Sequence, residues 1–142
     1  MAMLLTQQTE VAPTIGVVAT TINGTKAALL AAQREARAYG ARIVLLVPRV
    51  DAPAPPAERF VDTSNWLVAR FEKVARDVGQ PVQVRVVTAS TAAKGAELLS
   101  PANGILFVGG PIRWLWPSSE QRMAARLRRS GRQVVFVGCE KG

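Results

Sequence analysis

Runs of consecutive apolar residues alternate along the chain with segments in which apolar residues recur every three or four positions. The continuous runs predict buried β-strands, and the first of them is rich in β-branched residues. These runs cover residues 15–21, 41–47, 104–110 and 133–138. A further strand is predicted at residues 82–87, where apolar and polar residues alternate before an apolar finish, as on a less deeply buried strand.

The helical spacing of apolar residues predicts a first helix over residues 23–40. Asn23 or Thr25 can cap its start, because either side chain can accept a hydrogen bond from a free backbone N–H group. Gly40 suits the left-handed position that follows the last turn. The stripe expected to face the core consists of Leu29, Ala32, Ala36 and Tyr39.

Three more helices are predicted. The second begins at a cap among residues 62–64 and ends at residues 79–81. Its apolar stripe consists of Leu67, Phe71, Val74 and Val78. A short helix over residues 90–99 contains Gly95, which costs about 1 kcal/mol relative to alanine. The last covers residues 118–131, where Ser118 and Gln121 have the spacing of a capping box and Gly131 follows the last turn.

Strands and helices therefore alternate strictly along 142 residues, a length typical of one domain. This order predicts an α/β fold, a doubly wound five-stranded parallel sheet with helices on both faces. We expect a loose tail at residues 1–13 and a single domain at residues 14–142. Residues 48–58 hold four of the nine prolines and predict a surface loop.

Composition narrows the class of protein. Hydrophobic residues make up 49% of the chain, enough for a packed core, but no window has the roughly 20 apolar residues of a membrane-spanning helix. The N-terminus lacks the basic region of a signal peptide. Cys139 is the one cysteine and histidine is absent, so no structural metal is expected. A cytoplasmic protein is the simplest interpretation.

The net charge of +8 allows several partners. It could serve a nucleic acid, an anionic membrane surface or a phosphorylated ligand. Arg122, Arg126 and Arg129 form one helical stripe, for which we favour a solvated face over a phosphate-binding role. We expect no membrane partner, and a basic nucleic-acid-binding protein remains the weakest of the alternatives.

Residues 15–50, with their strand, short polar turn, alanine-rich helix and "YGARIVLL" strand, resemble the opening of universal stress protein (Usp) domains. The proline-bearing loop, the long second helix, "VGQPVQVRVV" and "GILFVGG" follow in that family's order. The resemblance covers about residues 14–138. It implies the Usp-like fold, related to the adenine nucleotide alpha hydrolases, and a nucleotide site at the carboxyl ends of the strands.

The resemblance places this site at Thr20, Val47, Gly109 and Gly110. Members that bind a nucleotide have an aspartate where this chain has Thr20. They also have a loop that reads glycine, two residues, glycine, nine residues, glycine, then serine or threonine. This pattern does not fit the chain, whether it is counted from Gly109 or from Gly110, because the positions of the second and third glycines hold other residues. Those residues are Ile112 and Arg122 in one register and Arg113 and Met123 in the other.

The physical consequence concerns backbone donors. Glycines let a loop bring its N–H groups against phosphate oxygens, whereas Pro111 and Pro117 have no N–H to offer. The start of the last helix remains, where Ser118 and Ser119 together with Arg113 could attract an anion.

The sequence thus predicts a non-catalytic stress-response or signalling domain with a degenerate nucleotide site and no cofactor. The alternative is a switch that binds ATP or AMP, with slow ATP turnover. No histidine base, paired carboxylates or G-x-S-x-G motif suggests catalysis. "PIRWLW" and "LRRSG" also resemble Usp domains of potassium-responsive sensor histidine kinases. Trp114 and Trp116 could stack on a base or, as we favour, fill the vacated cleft or cover a dimer surface.

The last predicted strand indicates self-association. It contains four consecutive apolar residues without a proline: Val134, Val135, Phe136 and Val137. In a sheet of this order it lies at an edge, and an unprotected edge invites another strand. This arrangement resembles that of Usp domains, which pair their last strands across a two-fold axis. We expect a homodimer through this strand, and a regulatory protein as a further partner.

Overall fold

The computed structural model describes residues 13–50, 68–79, 81–89, 104–113 and 115–139. In chain order the elements are β1 (Thr14–Val18), α1 (Ile22–Tyr39), β2 (Arg42–Val50), α2 (68–77), β3 (Val82–Ala89), β4 (Ile105–Gly110), α3 (Ser119–Arg129) and β5 (Gln133–Gly138). Among these described residues, no helix is long and apolar enough to cross a membrane.

The strands form one sheet in the order β3-β2-β1-β4-β5, and every neighbouring pair is parallel. The chain winds outward from β1 through β2 to β3, then returns to the other side of β1 for β4 and β5. The doubly wound parallel sheet expected from the alternating elements is therefore confirmed. The winding reverses between β1 and β4, so a crevice opens at the carboxyl ends of these two strands.

Two hydrophobic clusters cover the two faces of the sheet. On one face α1 and α2 pack through Leu29, Ala32 and Phe71 against strand residues such as Leu45 and Phe107. On the other face α3 packs through Ala124 and Leu127. The strands contribute side chains to both clusters because successive residues point to opposite faces. β3 is less deeply buried, as its alternating pattern predicted, since Gln83 and Arg85 are exposed.

The ends of α1 differ in part from the sequence prediction. β1 ends at Val18, and Thr21 is the N-cap of α1, with its hydroxyl accepting a hydrogen bond from the Gly24 N–H at 3.0 Å. The predicted caps Asn23 and Thr25 are wrong, because both lie within the first helical turn. At the other end Gly40 has the expected left-handed conformation, with φ of 63°.

The predicted α1 stripe is confirmed at three of its four positions. Leu29, Ala32 and Ala36 are buried, whereas Tyr39 is 72% exposed. Tyr39 is the last residue of α1, so it lies where the helix leaves the sheet and nothing covers its ring among the residues described.

Several predictions fall outside the described residues. They concern the N-terminal tail up to residue 12, most of the proline loop, the start of the second helix at residues 62–64 with Leu67, and the short helix at residues 90–99. Trp114 also lies outside them.

Candidate functional site

Thr20 lies in the crevice between β1 and β4, and its polar groups bind other parts of the protein. The Thr20 hydroxyl donates a hydrogen bond of 2.7 Å to the carbonyl oxygen of Gly109, the penultimate residue of β4. The Thr20 backbone N–H donates at 2.9 Å to Oγ1 of Thr25, a side chain that is fully buried. Thr20 therefore ties the end of β1 to β4 and to the first turn of α1.

The first turn of α1 packs directly on the end of β4. Gly24 and Gly109 meet backbone to backbone, and a Cβ on either glycine would overlap the carbonyl group of the other. Gly109 is thus a packing residue of β4 in register with Val137 of β5, not part of an open loop. Val47 is 2% exposed, and its side chain belongs to the core under α1 and α2.

Gly110 lies beneath the first turn of α3. A Cβ at Gly110 would come within 2.6 Å of Cβ of Glu120, so the Glu120 side chain lies against the end of β4. Glu120 is also the acidic residue of the first turn of α3. Its carboxylate complements the positive end of the helix dipole. It also repels a phosphate that approaches from this side.

Gln121 closes the loop that joins β4 to α3. Its Oε1 atom accepts hydrogen bonds from the backbone N–H groups of Arg113 at 3.0 Å and Ser118 at 2.8 Å. Ser118 Oγ accepts from the Gln121 N–H at 3.2 Å and donates to the Pro111 carbonyl at 2.9 Å. The predicted capping box is confirmed. The Gln121 amide oxygen also accepts backbone N–H groups of the loop, which are the groups that bind phosphate in glycine-rich loops.

The two serines at the start of α3 are also engaged. Ser118 is buried at 6% exposure, and Ser119 Oγ donates to Oε2 of Glu120 at 3.1 Å. The Arg113 side chain is exposed. Gly109, Gly110, Ser118 and Ser119 thus lie at the carboxyl end of the sheet. Glu120 lies against Gly110 and accepts from Ser119, and Gln121 accepts from the Ser118 N–H.

Cys139 follows β5 at the same carboxyl end of the sheet, and its N–H donates to the Gly110 carbonyl at 3.0 Å. Burial raises the pKa of its thiol, and the charge of Glu120 raises it further. A raised pKa leaves less thiolate at neutral pH, so this cysteine is a poor nucleophile. Within the described residues no group of three or more acidic, histidine or cysteine side chains could hold a metal ion.

Sequence reasoning missed Gly24, Glu120 and the second role of Gln121. The capping-box spacing identified Gln121 as a partner of Ser118, but its bond to Arg113 depends on how the loop folds back. No signal in the sequence pairs Gly24 with Gly109, because these glycines are far apart along the chain.

Replacing Gln121 with alanine should lower the free energy of unfolding by about 1–2 kcal/mol, because it leaves the N–H groups of Arg113 and Ser118 without their acceptor. Urea unfolding measures the change. Gln121→Glu is the matched control, since glutamate also completes a capping box. Ser119→Ala, which removes one exposed contact, should stay within about 0.5 kcal/mol. Equal effects of Gln121→Ala and Gln121→Glu would contradict the role given to the Gln121 oxygen.

Comparison with known proteins bears on the fold. No protein-family model matches the chain, and no curated protein matches it. Solved structures do match. A protein of the universal stress protein family from Burkholderia pseudomallei is 17% identical, with 89% of this chain and 96% of that one covered and a TM-score of 0.59. A universal stress protein in complex with cAMP is 16% identical, with 90% and 98% covered and a TM-score of 0.60.

A third similar structure comes from Arabidopsis thaliana, a universal stress protein family protein with AMP bound. It is 17% identical, with 90% of this chain and 92% of that one covered and a TM-score of 0.55. This chain has the universal stress protein fold. The likeness extends over nearly the whole length of these Usp structures, in agreement with the resemblance that the sequence showed. In this fold Thr20 lies at the crevice between β1 and β4, whereas Glu120 and Gln121 contact the end of β4 and the loop that follows it.

Proposed function

We propose that this chain is a non-catalytic universal stress protein that acts in cytoplasmic stress response or signalling without a bound nucleoside triphosphate. One observation carries the proposal. Gln121 Oε1 accepts the N–H groups of Arg113 and Ser118, so loop donors that could face a phosphate are bound within the protein. Pro111 and Pro117 cannot replace them, because proline has no N–H.

Two more contacts support the same conclusion. The Thr20 hydroxyl donates to the Gly109 carbonyl, and a threonine cannot supply the carboxylate that an aspartate would place here. The Glu120 side chain lies against Gly110 and adds a negative charge where a phosphate would otherwise approach the helix start. Binding a triphosphate would require the loop to break its bonds to Gln121 and Glu120 to move away.

The second candidate function is a switch that binds an adenine nucleotide with a single phosphate. It is favoured by similar structures that hold cAMP, dAMP or AMP. A monophosphate needs fewer donors than a triphosphate, so the start of α3 could serve it if Glu120 turned outward.

Release of bound nucleotide distinguishes the two functions. Freshly purified protein is denatured, and the supernatant is analysed by ion-exchange chromatography at the absorbance of adenine. We expect no nucleotide in stoichiometric amount, and no heat when ATP, AMP or cAMP is titrated into the folded protein. Stoichiometric ATP would refute the proposal, and stoichiometric AMP or cAMP would establish the second candidate in its place.

We propose further that the chain forms a homodimer through β5, with a regulatory protein as a later partner. β5 is an edge strand of the sheet, and Val135 on it is 43% exposed. The Cys139 N–H bonds to β4, and in a parallel ladder every second residue faces the same neighbour. Val135 and Val137 therefore bond to β4, whereas Val134 and Phe136 direct their backbone groups to the outer side of β5, away from β4.

Among the described residues, one contact covers the outer side of β5. The Arg128 guanidinium donates to the Val134 carbonyl through Nε at 3.3 Å and Nη2 at 3.2 Å. This cation protects the start of β5 in the way that charged side chains protect other edges. Pairing with a second copy is therefore expected to centre on Phe136, beyond the covered carbonyl.

A further inference from the structure

The loop between β4 and α3 carries large apolar side chains that the other described residues leave mostly exposed. Trp116 is 81% exposed, Leu115 is 79% exposed and Ile112 is 65% exposed. They lie within a stretch bracketed by Pro111 and Pro117, each of which fixes one backbone angle and so restricts the loop. Single exposed apolar residues scattered over a surface are ordinary and need no explanation. These three instead share one short segment at the carboxyl end of the sheet.

The surface beside this loop is strongly basic. Arg122, Arg126 and Arg129 are exposed and follow one stripe of α3, opposite the buried Ala124 and Leu127. The segment 104–139 contains six arginines and one acidic residue, which are Arg113, Arg122, Arg126, Arg128, Arg129, Arg132 and Glu120. Glu120 lies inward against Gly110, so the stripe itself is uninterrupted by negative charge.

We propose that this loop and the arginine stripe of α3 form a surface that binds the anionic face of a lipid bilayer. Tryptophan and leucine side chains suit the region between headgroups and acyl chains, and arginines on the adjoining surface attract anionic headgroups. A nucleic acid would use the arginines, but it offers nothing to Ile112 and Leu115. The sequence led us to expect no membrane partner, because it does not reveal that the side chains of this loop are uncovered.

Co-sedimentation with vesicles tests the proposal. The full chain should sediment with vesicles of phosphatidylcholine and phosphatidylglycerol but remain in solution with phosphatidylcholine alone, and added salt should release it. The triple change R122Q/R126Q/R129Q should weaken binding about fivefold per arginine, and so on the order of a hundredfold in total. The double change L115S/W116S should weaken it about tenfold or more, because the loop then has little to insert.

Each variant has a matched control on the opposite side of the molecule. K26Q/R34Q/R37Q removes three exposed positive charges from α1, and L30S/Y39S removes two exposed apolar side chains from the same helix. Both controls should bind like the unaltered chain. Equal weakening by the two charge variants would attribute binding to net charge alone and overturn the proposal.

Other outcomes would also overturn it. They are the absence of sedimentation with anionic vesicles, equal sedimentation with neutral vesicles, and retention on RNA or heparin without vesicle binding. A change of L115S/W116S from dimer to monomer in analytical sedimentation would assign the loop to the dimer interface instead. Because none of these readouts involves a nucleotide, they are independent of the nucleotide-release experiment.

Discussion

Replacing Gly109 with alanine should lower the free energy of unfolding by about 3 kcal/mol or more, a large part of the roughly 5–15 kcal/mol that stabilises a typical domain. The new Cβ would overlap the carbonyl group of Gly24, and backbone cannot turn aside as a side chain can. Relief would require α1 to move away from β4, which would also stretch the Thr20 hydrogen bond to Gly109. Urea unfolding followed by circular dichroism measures the loss.

Gly138→Ala, at the end of the neighbouring strand β5, is the matched control. Its Cβ would come within 2.5 Å of Cδ1 and 3.0 Å of Cγ1 of Ile112, a side chain that is 65% exposed. Rotation of the Ile112 side chain can relieve this contact, so we expect a loss of about 1 kcal/mol. Similar losses for the two variants would show that the Gly24–Gly109 contact is not what requires a glycine at residue 109.

The Gly109→Ala variant also bears on function. Paired glycines after a buried strand favour a phosphate-binding loop when only the sequence is considered. In the structure Gly109 and Gly110 both belong to β4, and each has a packing reason to lack a side chain. If Gly109→Ala unfolds the protein while nucleotide is absent from the unaltered chain, the glycines are explained by helix packing without a ligand.

The fold could be predicted from the sequence because its signals are local. Continuous apolar runs identified the strands, and alternation of strand and helix then restricted the topology to a doubly wound sheet. The start of α1 was not predictable to the residue, because Thr20, Thr21, Asn23 and Thr25 are all capable of capping and lie within six positions. Thr21 is the cap, since Thr25 instead accepts the Thr20 N–H in the core.

The candidate site was predictable in position but not in detail. Its place follows from the reversal of winding between β1 and β4. What fills it depends on contacts between segments that are distant or loop-borne, such as Gly24 with Gly109 and Gln121 with Arg113. Side-chain patterns of the 3.6-residue and two-residue periods carry no information about such contacts. The exposure of Leu115 and Trp116 is equally invisible, because apolar residues ordinarily predict burial.

The proposed homodimer should be abolished by Val135→Glu. Val135 lies on the edge strand next to Phe136, whose backbone groups point away from β4, and the Val135 side chain is 43% exposed in the single chain. A two-fold axis through such an edge places both copies of a residue in the same interface. With pairing centred on Phe136, each new carboxylate would lose water opposite Val137 of the partner subunit and lie diagonally across from the second carboxylate, which is unfavourable for like charges. We expect sedimentation velocity to show a monomer.

Val135→Thr separates charge from shape in the same experiment. Threonine is β-branched like valine and favours strands, so this variant should remain a dimer at tens of micromolar, where a micromolar interface is mostly filled. Thermal unfolding should show that both variants keep the fold, because Val135 is only partly covered within one chain. A dimer for Val135→Glu would place the interface elsewhere on the molecule. A monomer for the unaltered chain at the same concentration would mean that the Arg128 guanidinium on the Val134 carbonyl is enough to protect this edge.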